Sequence, residues 1–324
     1  MSGVRLFSKN NEMQKVLILV GPTASGKTNL SIELSKRMKS EIISADSRQV
    51  YKYLTIGTAK PSEEELSEAV HHFIDIYEPE EPFNAGQFSR EARTVINQLL
   101  EADKIPIVVG GSGLYIKALV DGFSSEIESD DRIRVSLKHR LDEEGIDSLF
   151  DQLEKVDPET AKIVHKNNVQ RVMRALEIYL ITGKPFSEIK KRATDPVKFT
   201  PVFVGLSWER EALYDRINRR VDLMIDEGLI PEVAIIKRRG ISENLNSLQT
   251  VGYKEVFSYF DGKIEFEEMI SEIKKNTRRY SKRQITWFKN DSRIKWFNME
   301  ENTDIPSLAD SILDHFTHYT TDEN

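Results

Sequence analysis

Residues 16–30 read VLILVGPTASGKTNL, and no other stretch limits the possible folds so strongly. Val16 to Val20 form an unbroken apolar run, the pattern of a strand buried on both faces. Gly21, Pro22, Thr23, Ala24, Ser25, Gly26, Lys27 and Thr28 then fit G-x-x-x-x-G-K-[ST]. Leu30, Leu34 and Met38 follow at helical spacing, so a helix is expected over 28–38. Strand, glycine-rich loop and helix in this order point backbone N–H groups and a helix N-terminus at an anion. Lys27 adds a point charge and Thr28 a hydroxyl suited to Mg2+, which makes residues 21–28 the candidate diphosphate cradle. Most chains with this motif bind ATP or GTP, yet the loop itself specifies only a polyphosphate or diphosphate.

The pattern around the loop predicts an α/β fold. Short apolar strands are expected at 41–45, 105–109 and 201–206, the last of them closing the core sheet. Helices are expected at 91–102, 210–227, 231–238 and 265–288. Strands alternating with helices imply a parallel sheet flanked by helices, with ligands beyond the carboxyl ends of the strands. GPTASGKT, DSRQVY (46–51) and GGSGLY (110–115) should therefore share one crevice. Residues 127–192 are charged and helical in pattern, with a helix start at Asp157-Pro158 and another helix over 168–181. The expected organisation is a core of residues 1–120 and 197–324 with a helical insertion of 121–196. A polar tail is expected at 320–324.

Asp46 stands just past the second strand, on the same sheet edge as the loop. A carboxylate facing a diphosphate needs a metal or a reacting proton beside it, so Asp46 reads as a general base or a Mg2+ partner; a turn-capping Asp is the plainer alternative. After IPIVV comes Gly-Gly-Ser-Gly, where many ATPases of this type place an Asp for Mg2+. Its absence weakens an ATP-hydrolysing reading. The glycines are expected to let another molecule approach closely.

Net charge is −7, which alone argues against a nucleic-acid partner, but charge is unevenly distributed. Lys274 to Lys295 holds nine Lys or Arg against one acid, Asp291. Such a block is either a solvated helix face or a footprint for phosphates. Within it, Ile270, Ile273, Tyr280 and Trp287 are expected to face the core, with Lys275, Arg279, Lys282 and Arg283 on another face. Arg171 and Arg174, one turn apart, could clamp phosphates or pair with Glu177. His71 and His72 read as a turn with satisfied rings rather than a metal site.

Zero cysteines exclude disulfides and thiolate chemistry. No apolar run approaches the roughly 18–20 residues that span a membrane. Residues 1–15 lack the apolar stretch of about 7–15 residues of a secretory signal. A cytoplasmic monomer is expected.

Taken in order, GPTASGKT, DSRQVY, GTAKP (57–61), HHFID, GGSGLY, QRVMRALE, QTVGYKE and TRRYSKRQITWFK resemble the bacterial tRNA dimethylallyltransferases from about Val16 to Phe288. The resemblance implies a P-loop NTPase-like sheet and a reaction using Mg2+. In that reaction dimethylallyl diphosphate alkylates N6 of the adenosine 3′ of the anticodon, giving N6-isopentenyladenosine and diphosphate. It makes Asp46 the general base. Thr23, Lys27, Thr28 and Arg220 become diphosphate contacts, Arg220 being chosen by the R-I-x-x-R pattern of 216–220 with Arg219 as its rival. Contacts to the tRNA anticodon arm would fall on Asp46, Ser47, Arg48, Gln49, Ser112, Arg134, Gln170, Arg171, Arg174, Gln249, Gly252, Tyr253 and Lys254. The basic helix adds Arg278, Arg279, Lys282 and Arg283. Arg48 stands where Met is common and Ser112 where Thr is common. Three other readings compete: a prenyltransferase of free adenine nucleotides, a small-molecule kinase and a non-catalytic RNA module. The first does not need the insertion and basic helix, the second predicts ATP turnover, and the third leaves Lys27, Thr28 and Asp46 without a purpose.

Overall fold

The computed structural model describes residues 13–122, 127, 130–192 and 197–320. Of residues 1–15, read above for a secretory signal, only those from Met13 are among the described ones, and of the polar tail only Thr320. The described residues fall into two compact units, one drawn from residues up to Val120 and from Val197 onward, the other from those between.

The first unit is built on six strands: β1 (Lys15–Val20), β2 (Ile42–Ser44), β3 (His71–His72), β4 (Ile107–Gly110), β5 (Thr200–Trp208) and β6 (Lys295–Met299). They lie in the order β3-β2-β4-β1-β5-β6, and every pairing is parallel. Helices α1 (Lys27–Met38), α2 (Glu63–Glu68), α3 (Ala85–Glu101) and α4 (Gly113–Asp121) belong to its first half. The chain returns to it with α9 (Arg210–Asp226), α10 (Leu229–Arg238), α11 (Tyr253–Phe260), α12 (Phe266–Lys289) and α13 (Ile305–His318). The apolar run of β1 is continuous because both faces are covered. Val16, Ile18 and Val20 join a core with Phe88, Leu119, Val221 and Ile273, while Leu17 and Leu19 join Leu30, Leu34, Leu308 and Ile312 on the other side. Each such side chain contributes about 1.5–3 kcal/mol by leaving water.

The second unit packs α5 (Asp131–Val156), α6 (Pro158–Ile163), α7 (Val169–Thr182) and α8 (Phe186–Arg192). Leu137, Leu149, Leu153, Val172 and Leu176 form its core. Helix α5 is broken at Gly145, whose φ of 77° is left-handed. Buried Asp157 caps α6 through Thr160 N–H (3.1 Å) and also accepts from Ser187 N–H (2.9 Å).

Three expectations change. Strand β5 does not close the sheet, because β6 pairs outside it; at this edge Trp296 and Phe297 are only half-buried and Lys295 and Asn298 exposed, so no apolar run marks the strand. Helix α3 starts at Ala85 rather than 91, since Asn84 accepts from Gly86 and Gln87 N–H and overrides the weak helix preference of Gly86. His71 and His72 lie in a strand rather than a turn, one ring on the Ala69 carbonyl and the other on Glu41, each at 2.8 Å.

Gly110 at the end of β4 faces Ala45, and a Cβ there would sit 2.2 Å from the Ala45 carbonyl oxygen. Gly110→Ala is expected to cost about 1–3 kcal/mol by overpacking, read as a lower urea midpoint at unchanged slope.

Candidate active site

A cavity of about 1450 Å3 opens beyond the carboxyl ends of the central strands. Val20 pairs with Gly110 on one side and Gly205 on the other, and Ser44 with Val109, which brings the turns that follow to one level. Thr23 to Thr28, Asp46 to Gln49, and Gly110 with Gly111 line the cavity, as does the loop 55–61. Helix α9 contributes Arg216, Arg219 and Arg220, and α12 contributes Asn276, Tyr280, Arg283 and Gln284. Ile56, Val221, Leu223, Met224 and Ile273 give it an apolar wall.

The phosphate loop is held from several directions. Lys27 Nζ donates to the carbonyls of Gly21 (3.0 Å) and Pro22 (2.6 Å). Those two residues do not line the cavity; they anchor the lysine instead. From α12, Gln284 accepts from Thr23 N–H (2.8 Å) and donates to the Gly111 carbonyl (3.0 Å), joining two strand-end loops. Behind the loop, Arg216 donates to the Ala24 carbonyl (3.0 Å) and Trp208 Nε1 to the Ser25 carbonyl (3.1 Å). The Arg216 guanidinium lies 4.4 Å from the Trp208 ring centre, and Arg216 and Arg219 both bind Glu301. Two carbonyls that would repel an anion are thereby occupied from outside, and Ala24 is kept at φ 62°.

Electrostatics single out Lys27. Burial, and secondarily the Arg220 guanidinium, lower its pKa to about 7, while Asp46 acts in the opposite sense. Burial also lowers the Arg220 pKa, again opposed by Asp46. Asp46 thus acts on both Lys27 and Arg220 inside one cavity. Arg219 is exposed and tied to Glu301, whereas Arg220 is half-buried.

Asp46 is both a cap and a cavity carboxylate. Its Oδ1 accepts from the N–H groups of Arg48 (2.8 Å) and Gln49 (3.3 Å), and no donor among the described residues reaches Oδ2. Ser112 is buried, and its hydroxyl accepts from Ser47 N–H at 3.2 Å. Gln49 accepts from the Ser44 hydroxyl and donates to the carbonyls of Thr58 (3.3 Å) and Ala59 (2.9 Å). Arg48 is half-buried at the cavity. The Tyr280 phenol is pushed up to about 12 by burial and then by Asp46.

The glycines after β4 make room for this chain's own groups. A Cβ at Gly111 would meet Gln284 at 2.1 Å, and one at Gly113 the Trp287 ring at 2.2 Å. Trp287 is 40% exposed, and Tyr280 lines the cavity, so neither faces the core. The buried stripe of α12 is Met269, Ile273, Ser281, Gln284 and Phe288. Two polar residues inside it disguise its position in the sequence.

Among the residues matched to RNA contacts, Arg134 and Arg174 each pair with buried Glu177 at 2.8 Å, so pairing is the arrangement found for Arg174. Gln170 and Arg171 are exposed on α7. Gln249 donates to the Glu243 carbonyl (2.7 Å), and Gly252 and Lys254 line the cavity. Tyr253 is fully buried, with its hydroxyl 2.6 Å from Glu232. Arg278 donates to Asn218 (2.6 Å), while Arg279, Lys282 and Arg283 are exposed. Sequence reasoning missed Gln284, Trp208, Arg216 and Glu301; only the polar Gln284 on an apolar stripe left a readable trace.

A glycine-rich loop ending a central parallel strand, with arginines and a carboxylate around one cavity, is the arrangement of an α/β enzyme whose ligand carries an anionic group. The family model described as IPP transferase matches residues 49–291. A tRNA dimethylallyltransferase of Geobacillus thermodenitrificans is 46% identical over 289 residues, covering 89% of this chain and 91% of that protein. One from Bacillus subtilis is 42% identical, covering 94% and 98%. The full-length tRNA isopentenylpyrophosphate transferase of Bacillus halodurans superposes with a TM-score of 0.69 at 40% identity, covering 94% and 97%. A eukaryotic dimethylallyltransferase acting on tRNA gives 0.79 at 29% identity, covering 94% of this chain and 79% of that one. This chain belongs to the IPP transferase family of tRNA dimethylallyltransferases.

A bound anion must raise the Lys27 pKa, so binding above about pH 7 takes up a proton while binding below it does not. Diphosphate affinity measured by calorimetry should be flat in this respect below about pH 7 and fall by up to about tenfold per pH unit above it. Lys27→Arg, charged throughout, serves as the reference for the ligand's own ionisation.

Proposed function

We propose that this cavity carries dimethylallyl transfer from dimethylallyl diphosphate to N6 of the adenosine 3′ of the anticodon, forming N6-isopentenyladenosine and releasing diphosphate. tRNA isopentenylation is the reaction of the family to which the chain belongs. The observation that carries the residue assignment is that Lys27, Arg220 and Asp46 line one cavity, where Arg220 and Asp46 both act on the Lys27 ammonium.

An exocyclic adenine amine is a weak nucleophile because its lone pair is delocalised into the ring. Asp46 orients the amine and accepts its proton as N6 bonds to the allylic carbon. The carbon–oxygen bond to the diphosphate breaks, and the electron pair leaves with oxygen. Lys27, Arg220 and the backbone amides of residues 24–28 stabilise the charge that accumulates there, with the Thr23 side chain as a further contact. The apolar wall of Ile56, Leu223 and Met224 suits the dimethylallyl group. The target base leaves its stack to enter the cavity.

The donor set also fits Mg2+. The Thr28 hydroxyl lines the cavity and has no hydrogen-bond partner among the described residues. Mg2+ commonly takes few protein oxygens and completes its shell with water and phosphate. When bound it supplies charge neutralisation at the diphosphate.

Contacts to the anticodon arm are assigned to exposed Arg279, Lys282 and Arg283 on α12 and to Gln170 and Arg171 on α7. No helix among the described residues is long and apolar enough to cross a membrane. We place the enzyme in the cytoplasm as a monomer, a reading that the absence of cysteine supports.

Mass spectrometry of nucleosides from unmodified tRNA, after incubation with enzyme, Mg2+ and dimethylallyl diphosphate, should show N6-isopentenyladenosine; unchanged adenosine would overturn the proposal. Asp46→Ala should lower kcat by about 10²–10⁴. Near wild-type turnover would remove Asp46 from the role of base. Arg220→Ala should lower kcat by about 10²–10³ and weaken diphosphate binding, and unchanged affinity would count against its contact.

A further inference from the structure

Glu232 lies in the first turn of α10 and does not line the cavity. Its carboxylate nevertheless gathers four donors. Oε2 accepts from the N–H groups of Thr55 (3.0 Å) and Ile56 (2.7 Å), and Oε1 from Gly57 N–H (3.1 Å) and the Tyr253 hydroxyl (2.6 Å). Three successive amides turned onto one carboxylate form an anion nest filled by the protein's own side chain. Hydrogen bonds to a charged acceptor are about twice as strong as neutral ones, so this contact fixes the backbone of 55–57 firmly. The Tyr253 ring closes over it: a Cβ on Gly57 would lie 2.5 Å from that ring.

The loop passes its geometry on. Thr58 and Ala59, the next two residues, present the carbonyls that accept from the Gln49 side chain. Ala59 holds a left-handed φ of 49°, a conformation that needs outside support. Lys60 then donates to the Tyr51 carbonyl (2.6 Å) and pairs with Asp75. The Gln49 backbone N–H donates to Asp46 Oδ1. A continuous set of bonds therefore runs from Glu232 through 55–59 to Gln49 and Asp46. The phosphate loop has separate supports in Gln284, Trp208 and Arg216.

We infer that Glu232 is a positioning residue for the acceptor side of the reaction: it shapes the loop that holds Gln49 beside Asp46, leaving the diphosphate side untouched. The inference rests on the reading that the adenine is received at Asp46.

Glu232→Gln preserves size but removes the charge and one of the two accepting oxygens. With full-length enzyme and unmodified tRNA, kcat should fall about tenfold or more while KM for tRNA stays within about threefold. Inorganic diphosphate affinity, by calorimetry, should stay within about twofold. Tyr253→Phe removes one donor and leaves the three amides, so it should show the same split with a loss of about twofold to fivefold; it decides the matter if Glu232→Gln does not fold. Unchanged kcat, a loss confined to KM, or a parallel loss of diphosphate affinity overturns the inference. If Asp46→Ala keeps its turnover, the reading of Asp46 fails and the inference falls with it; if Asp46→Ala loses turnover and Glu232→Gln does not, the inference alone fails.

Discussion

Val20 is paired in parallel with Gly110 on one side and Gly205 on the other, and the rest of the site depends on that register. It brings the phosphate loop, the Ala45–Asp46 turn and the Gly110–Gly111 turn out of the sheet at one level. A shift of one residue would turn every side chain of a strand to the opposite face, and both faces of β1 are packed. Gly110 is what lets the Ala45 carbonyl come so close. The neighbouring strand can then deliver Asp46 next to Lys27.

The cavity concentrates positive charge before any ligand arrives. Burial lowers the tendency of both Lys27 and Arg220 to hold a proton, and the Arg220 charge adds to the effect on Lys27. An anion placed among these groups would offset the repulsion between them. Glu301 plays the corresponding part outside the loop, where it neutralises Arg216 and Arg219. Two arginines in one helix, Arg219 and Arg220, therefore differ: the first is exposed and paired with Glu301, the second half-buried. Supports for the two halves of the reaction are likewise separate: Gln284, Trp208 and Arg216 on the phosphate side, Glu232 and the 55–59 loop on the acceptor side.

Much of this was legible before the chain was folded. The strand, loop and helix of 16–38 combine a local motif with local periodicity, and the structure follows them to within a residue. The edge strand β6 was not legible, because half-buried Trp296 and Phe297 leave no apolar run. Helix α13 did carry signals, an Asp304 cap and Pro306 in the first turn, that a reading centred on the basic block passed over. Tyr280 and Trp287 were assigned to the core from spacing alone, whereas the true stripe of α12 includes Ser281 and Gln284. Spacing identifies a face; it does not say whether that face meets core or cavity.

The sequence by itself determined the parallel α/β architecture, the diphosphate cradle and the candidate carboxylate, since each rests on residues adjacent in the chain or on a strand-length pattern. Tertiary structure alone decided that Arg219 pairs with Glu301 while Arg220 is half-buried, and that Arg174 binds Glu177. It alone showed that glycines 111 and 113 admit Gln284 and Trp287, and that Glu232 holds a loop some 175 residues before it. These are contacts between segments far apart in sequence. Their energies depend on distance and burial, which no local pattern of residues encodes.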